Sequence, residues 1–148
     1  MTESNPDRFS AADSALGYLY QCRVALVSAL QRIRAAEEFT VALETLDDVV
    51  FDKEGQAPEL LQTKHHRTRS ANLTDASPDL WKSLRIWNEG LAAGTIPPGT
   101  SFYLITTSQA GDDSAAHRLR VAERDVATAR ARLHATVRIS EHREHLDR

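Results

Sequence analysis

A short stretch of this sequence carries the residue types that a divalent cation and a phosphodiester require. Glu44, Asp47 and Asp48 end one apolar run, and Gln62 and Lys64 lie within the next. Strand side chains alternate between two faces, so residues 62 and 64 are predicted to project from the same side. Oxygen ligands hold hard cations such as Mg²⁺, and a fixed ammonium group offsets phosphate charge. The spacing therefore predicts metal-assisted phosphoryl chemistry, provided that the two runs lie side by side.

The residues between the two runs favour that arrangement. Asp52, Gly55 and Pro58 are typical of a turn, which would fold the second strand back beside the first. The aspartates have a second interpretation as ordinary turn residues at a strand end. A polar pair on an otherwise apolar strand, however, costs free energy unless it serves a purpose. Gln62 and Lys64 therefore favour the functional interpretation.

Which aspartate would bind the metal depends on the path of the chain. An apolar alternation over residues 39–43 predicts a strand leading to the acids. Asp48 shares the face of Glu44 if that strand runs straight through, whereas a bend gives this place to Asp47. Residues 49–51 either continue the strand or form a second one, and the sequence leaves both open. We expect Asp48 to be the ligand, with Asp47 as the alternative.

Periodicity predicts the elements that position these residues, and their order is α-β-β-β-α-β-α. Tyr18 and Tyr20 lie in the first helix and are expected to be core or half-core residues. A serine and a proline at Ser77-Pro78 mark the start of the second helix. The predicted segments are a helix (14–35), strands (39–44, 49–51 and 60–65), a helix from 77 to about 90, a strand (101–107) and a helix (114–142). This pattern predicts an α/β fold.

The composition narrows the class of protein. The chain of 148 residues, with 41% hydrophobic and 26% charged residues, is typical of one water-soluble globular domain. A net charge of −3 argues against a protein that binds nucleic acid through a generally basic surface, but it allows a local basic patch. Cys22, the single cysteine, excludes a disulfide framework and is expected to be a buried thiol. The polar N-terminus and short apolar runs predict a cytoplasmic protein without membrane contact.

Several motifs together carry a family resemblance. In chain order they are Gly17-Tyr18-Leu19-Tyr20-Gln21, Glu44-x-x-Asp47-Asp48, Gln62-x-Lys64 and Asp79-Leu80-Trp81-Lys82. With these motifs the sequence resembles the PD-(D/E)xK restriction-endonuclease-like superfamily, in the variant where glutamine replaces the middle acid. It is similar in particular to the N-terminal nuclease domain of CD-NTase-associated endonucleases in bacterial anti-phage (CBASS) defence systems. The similarity spans roughly residues 15–108.

The resemblance implies a restriction-endonuclease-like mixed central sheet flanked by helices. It also implies a Mg²⁺-dependent (or Mn²⁺-dependent) endonuclease that hydrolyses double-stranded DNA. Residues 1–13 would be a flexible lead, and residues 14–148 would form the nuclease-like domain. This domain would belong to a larger effector or would be controlled by a separate regulator protein. The protein could also form homo-oligomers. The implied site comprises the catalytic residues Asp48, Gln62 and Lys64, the further metal ligands Glu44 and Asp47, and Gln21 as an accessory residue.

The residues after the second run predict contacts with DNA. His65, Arg67 and Arg69 follow Lys64 directly and could grip the phosphate backbone. A solvated loop is an equally good interpretation of the same residues.

A second function, from a different class, also fits the sequence. Glutamine in place of an acid and the negative net charge favour a catalytically silent, nuclease-like scaffold in a multi-component defence complex. Such a scaffold would bind nucleic acid or a partner protein without cleaving it.

Overall fold

The structure is a computed structural model that describes residues 11–43, 48–65 and 72–146. At positions 11–13, 48, 123 and 138–146 the description covers the backbone. The chain divides into two compact units, which comprise residues 1–65 with 90–106 and residues 66–89 with 107–148.

Helices and short strands alternate along the chain, as expected for a mixed α/β protein. In order they are α1 (Ala11–Arg34), β1 (Thr40–Leu43), β2 (Asp48–Asp52), β3 (Glu59–Lys64), β4 (Asn72–Leu73), α2 (Pro78–Ala92), β5 (Ser101–Thr106), β6 (Gln109–Ala110), α3 (Ala115–Arg118) and α4 (Val126–Leu146). None of these helices has an apolar stretch long enough to cross a membrane.

The first unit is built on a four-stranded sheet in the order β1-β2-β3-β5. β2 pairs antiparallel with both β1 and β3, whereas β3 and β5 are parallel. β3 is therefore an interior strand. One face of the sheet packs against α1, where Ala25, Val49, Phe51 and Leu61 form the buried core. The predicted mixed sheet is confirmed at this level.

The chain reverses direction between β1 and β2. Leu43 pairs with Val49 and Thr40 pairs with Asp52, so the two segments form an antiparallel pair. Residues 49–51 thus belong to a second strand, which decides the alternative that the sequence left open.

The predicted long final helix is wrong at its beginning. The chain instead forms α3, a 3-10 turn at Val121–Glu123, and then α4. Asp125 ends the interruption, because its carboxylate accepts hydrogen bonds from the Thr128 backbone N–H (3.0 Å) and hydroxyl (2.6 Å). Such a capping residue satisfies the first N–H groups of a helix and fixes where it starts. The other predicted helix start is correct, since α2 begins at Pro78.

The second unit is organised around Asp75. Its carboxylate accepts hydrogen bonds from the Ala115 backbone N–H (2.6 Å) and the Arg132 Nε (3.0 Å). Its backbone carbonyl accepts one from the Trp81 indole (2.7 Å). One residue thus connects α2, α3 and α4, next to the short parallel pair of β4 and β6.

The end of α1 contains a backbone conformation that favours glycine. Ala36 has φ 56°. Its N–H donates to the Ile33 carbonyl (3.0 Å), and the Glu37 N–H donates to the Arg32 carbonyl (3.1 Å). This pair of hydrogen bonds is the Schellman motif, in which the left-handed residue is usually glycine because a Cβ is disfavoured there.

Ala36→Gly is therefore expected to raise the free energy of unfolding, by up to about 1 kcal/mol after the greater flexibility of the unfolded chain is subtracted. Urea unfolding of the two proteins measures the change. Ala15→Gly, at an exposed position inside α1, is the matched control and should lower stability by about 1 kcal/mol. A loss of stability at both positions would contradict the prediction.

Candidate functional site

The register between β2 and β3 brings three predicted site positions onto one face of the sheet. Position 48 lies directly opposite Gln62. Opposite positions of an antiparallel pair belong to the same face. Lys64 is two residues beyond Gln62 in the same strand and shares that face too. Asp48, Gln62 and Lys64 are together called the β2–β3 polar group below.

Position 48 lies on the face of Gln62 for a different reason from the one that the sequence suggested. The straight strand that would give Asp48 the face of Glu44 is not observed, because β1 and β2 are separate antiparallel strands. The register of β2 on β3 sets the face of position 48 instead. Glu44 and Asp47 lie outside the described residues.

Gln62 is the most constrained member of the group. It is 1% exposed, in the middle of a strand with neighbours on both sides. Among the described residues, no hydrogen-bond donor reaches its buried Oε1. An unsatisfied buried oxygen of this kind costs on the order of 1–3 kcal/mol, and most buried polar atoms in proteins avoid it. A cation or a water held at this position would remove that cost.

Lys64 ends the same strand and is half-buried. It does not lie on an edge of the sheet, since β3 is flanked by β2 and β5. A lysine on an exposed edge strand discourages edge-to-edge aggregation, but Lys64 is not in such a position. Thr106 of β5 is in register with Lys64, so the two share a face. The sequence could not place Thr106 there, because the parallel register depends on a crossover between distant segments.

Gln21 is not brought together with the β2–β3 polar group. It is 2% exposed and lies one helical turn before Ala25, which packs against Leu61. Leu61 and Gln62 are consecutive in a strand and point to opposite faces. Gln21 is thus on the side of the sheet away from Gln62. The accessory role implied for Gln21 stays a prediction.

The residues that follow Lys64 are only partly described. His65 lies at the end of β3 with its ring against Tyr20, with centroids 5.1 Å apart. Tyr20 is half-buried as expected, whereas Tyr18 is 56% exposed and the expectation for it is wrong. Arg67 and Arg69 lie outside the described residues.

A second polar cluster, which the sequence did not reveal, joins α1 to the sheet. Arg32 forms an ion pair with Glu59, and its guanidinium lies 3.9 Å from the centroid of the Phe51 ring. Beside it, Lys53 lies 2.5 Å from Glu37, and this hydrogen bond lowers the pKa of the Glu37 carboxyl. These residues border a cavity of about 290 Å³. The charges are paired with each other, so the cluster has the character of a structural connection.

The described part of the chain does not bring acidic, histidine and cysteine side chains together into a metal site. Within residues 11–43, 48–65 and 72–146, no group of three His, Cys, Asp or Glu side chains is arranged to hold an ion. A site at the β2–β3 polar group would therefore depend on the Gln62 amide oxygen and on acids at positions 44, 47 and 48.

Comparison with protein families, characterised proteins and solved structures finds no significant match to this chain.

Gln62 is expected to lower the stability of the protein, because its buried oxygen has no hydrogen-bond partner among the described residues. Gln62→Met keeps the length of the side chain and removes the unsatisfied oxygen, so it should raise the free energy of unfolding by about 1 kcal/mol. Urea unfolding in the presence of EDTA measures the change. Gln21→Met is the matched control, because Gln21 is equally buried and is not among the groups left without a partner. This second substitution should destabilise the protein. If Gln62→Met destabilises it as much, the Gln62 oxygen has a partner in solution.

Proposed function

We propose that this chain is a metal-dependent double-stranded DNA endonuclease domain of the PD-(D/E)xK type, acting in a bacterial anti-phage defence effector. The observation that carries the proposal is the buried, unsatisfied oxygen of Gln62, which shares a face with position 48 and Lys64. The mixed sheet supports a restriction-endonuclease-like arrangement, in which these strands present the catalytic residues.

The donor set fits a hard divalent cation. The Gln62 amide oxygen and the Asp48 carboxylate would hold it, with Glu44 or Asp47 as further ligands. A bound Mg²⁺ or Mn²⁺ activates a water and stabilises charge on the phosphate. Gln62 supplies a neutral oxygen where relatives of the resembled family have a carboxylate. Affinity for the cation should therefore be lower than in an all-carboxylate site.

Lys64 supplies the fixed positive charge. Its ammonium would orient the attacking water and offset the negative charge that develops on the phosphate during in-line attack. Half-burial in an interior strand strengthens this interaction, because a partly desolvated charge is less screened than one in water.

A specific observation favours a second candidate function. Asp48 is the one acid of the β2–β3 polar group, and the described residues contain no cluster of three ligand side chains. A catalytically silent domain that binds DNA or a partner protein would have this composition. The first function requires that acids at positions 44, 47 and 48 complete the site.

Nicking of supercoiled plasmid separates the two functions. The nuclease should convert it to the open circular form with Mg²⁺ or Mn²⁺ and should not do so with EDTA. Calorimetric titration of Mn²⁺ into the protein gives an independent readout of the site. Absence of both nicking and metal binding, in a protein that still binds DNA, would establish the silent domain.

Lys64→Ala tests the assignment of the positive charge. Cleavage should fall about 10²–10³-fold, the usual effect of removing one group that stabilises transition-state charge. The fold should be retained, as measured by circular dichroism and urea unfolding. Lys53→Ala, which removes a lysine paired with Glu37, is the matched control and should leave cleavage unchanged. Asp48→Asn should abolish both Mn²⁺ binding and cleavage. Equal activity of wild type and Lys64→Ala would refute the site.

The arginines after β3 are expected to bind the DNA backbone. Replacing both Arg67 and Arg69 by alanine should weaken binding to the same degree on unrelated DNA sequences. The slope of log K against log salt should flatten by nearly ~1 unit per lost phosphate contact. Cleavage at saturating DNA should fall much less than for Lys64→Ala, because a positioning contact is not specific to the transition state. Unchanged affinity and salt slope would place the DNA path elsewhere.

A further inference from the structure

Helix α1 has two different faces on opposite sides. The face toward the sheet contains small or polar residues, with Gln21 and Ala25 buried. The other face exposes most of the large aliphatic residues of the helix. They are Leu16, Leu19, Leu26, Leu30 and Ile33, which are 44%, 62%, 60%, 51% and 60% exposed. Contiguous exposed apolar surface of this kind marks an interaction site in soluble proteins.

The spacing of the exposed residues is suited to packing against a second helix. Together with Arg23, they stand at positions 16, 19, 23, 26, 30 and 33, with alternate steps of three and four. This is the a/d repeat of a coiled coil, whose seam packs against another helix. Each helical residue turns by about 100°, which puts this seam on the side opposite Gln21 and Ala25. The helix is thus able to contact its own sheet and a second helix at once.

The seam is complementary to itself when the second helix runs antiparallel. Position 16 then faces 33, position 19 faces 30, and position 23 faces 26, all in one register. Arg23, the single charged residue of the seam, faces a leucine of the second copy, along which its aliphatic stem can lie. A parallel pair in register would instead place Arg23 against Arg23, which is unfavourable. The sequence therefore selects the antiparallel arrangement.

Charges at the two ends agree with this register. Positions 13 and 34 flank the seam on one side, and they meet across an antiparallel pair in the register that matches 16 with 33. Position 13 is an aspartate and position 34 an arginine, so residues of opposite charge stand at corresponding positions of the two copies. Two-fold symmetry repeats the pair at the other end.

We propose that α1 is a homodimerisation element, in which two copies of this chain pair through antiparallel α1 helices with the seam of residues 16–33 buried between them. The occupant of the exposed face is a second copy because the apolar pattern, the position of Arg23 and the end charges all match under one two-fold axis. The proposed dimer is independent of the proposed nuclease function, since it involves no residue of the β2–β3 polar group.

Sedimentation equilibrium on the full chain tests the proposal. The wild type should show a monomer–dimer equilibrium. Leu30→Glu should weaken it by at least about a hundredfold, because a symmetric interface loses the leucine twice. Val121→Glu is the matched control, as Val121 is 88% exposed and outside α1, and it should dimerise like the wild type. A wild type that is monomeric at all concentrations, or a dimer that survives Leu30→Glu, overturns the proposal.

Variants that strengthen or restore the dimer distinguish loss of association from loss of folding. Arg23→Leu should tighten the dimer by about tenfold or more, since it completes the apolar seam. Asp13→Arg and Arg34→Asp should each weaken association, and the double variant should recover it. Additive weakening in the double variant would contradict the antiparallel register.

Crosslinking reports the direction of the helices. In a Cys22→Ser background, a mixture of Leu16→Cys and Ile33→Cys proteins oxidised with diamide should give a disulfide-linked heterodimer. Leu16→Cys alone should give little crosslinked product. Efficient crosslinking of Leu16→Cys to itself would show a parallel pair and overturn the proposal.

Discussion

The burial of β3 between two neighbouring strands is the constraint on which the first unit depends. β2 pairs with one edge of this strand and β5 with the other, and Leu61, Gln62 and Thr63 are all buried. A shift of one residue would exchange the two faces of the strand and bury the wrong set. The register is therefore strongly specified by packing. Gln62 must then accept a buried position.

Packing on one face of the sheet determines which residues lie on the other. Val49, Phe51 and Leu61 pack against α1, which assigns the alternate residues of β2 and β3 to the opposite face. Arg32 of α1 reinforces this arrangement, because its guanidinium stacks on Phe51 of β2 and forms an ion pair with Glu59 of β3. An apolar core thus holds position 48, Gln62 and Lys64 in register, although none of the three takes part in it. Core positions and site positions follow one another along the same strands.

Local signals in the sequence predicted the elements better than their surroundings. The start of α2 and the common face of Gln62 and Lys64 follow from residue types and from the period of a strand. The break before α4 had a local signal in Asp125 and Thr128, which the continuous apolar spacing obscured. The register of position 48 on Gln62 and of Lys64 on Thr106 could not be predicted, because strand pairing is a non-local property. The same limit applies to which side of α1 meets the sheet.

The two faces of α1 differ in the size of their residues. A helix that approaches a sheet closely is favoured by small residues, and Ala25 and Ala29 lie on that side. The larger leucines are left on the outer side, where they are 44–62% exposed. Burying them against a second copy would occur on the side of the sheet away from Gln62 and Lys64. The paired α1 helices would therefore not lie on the β2–β3 polar group, since both α1 and the sheet stand between the two surfaces.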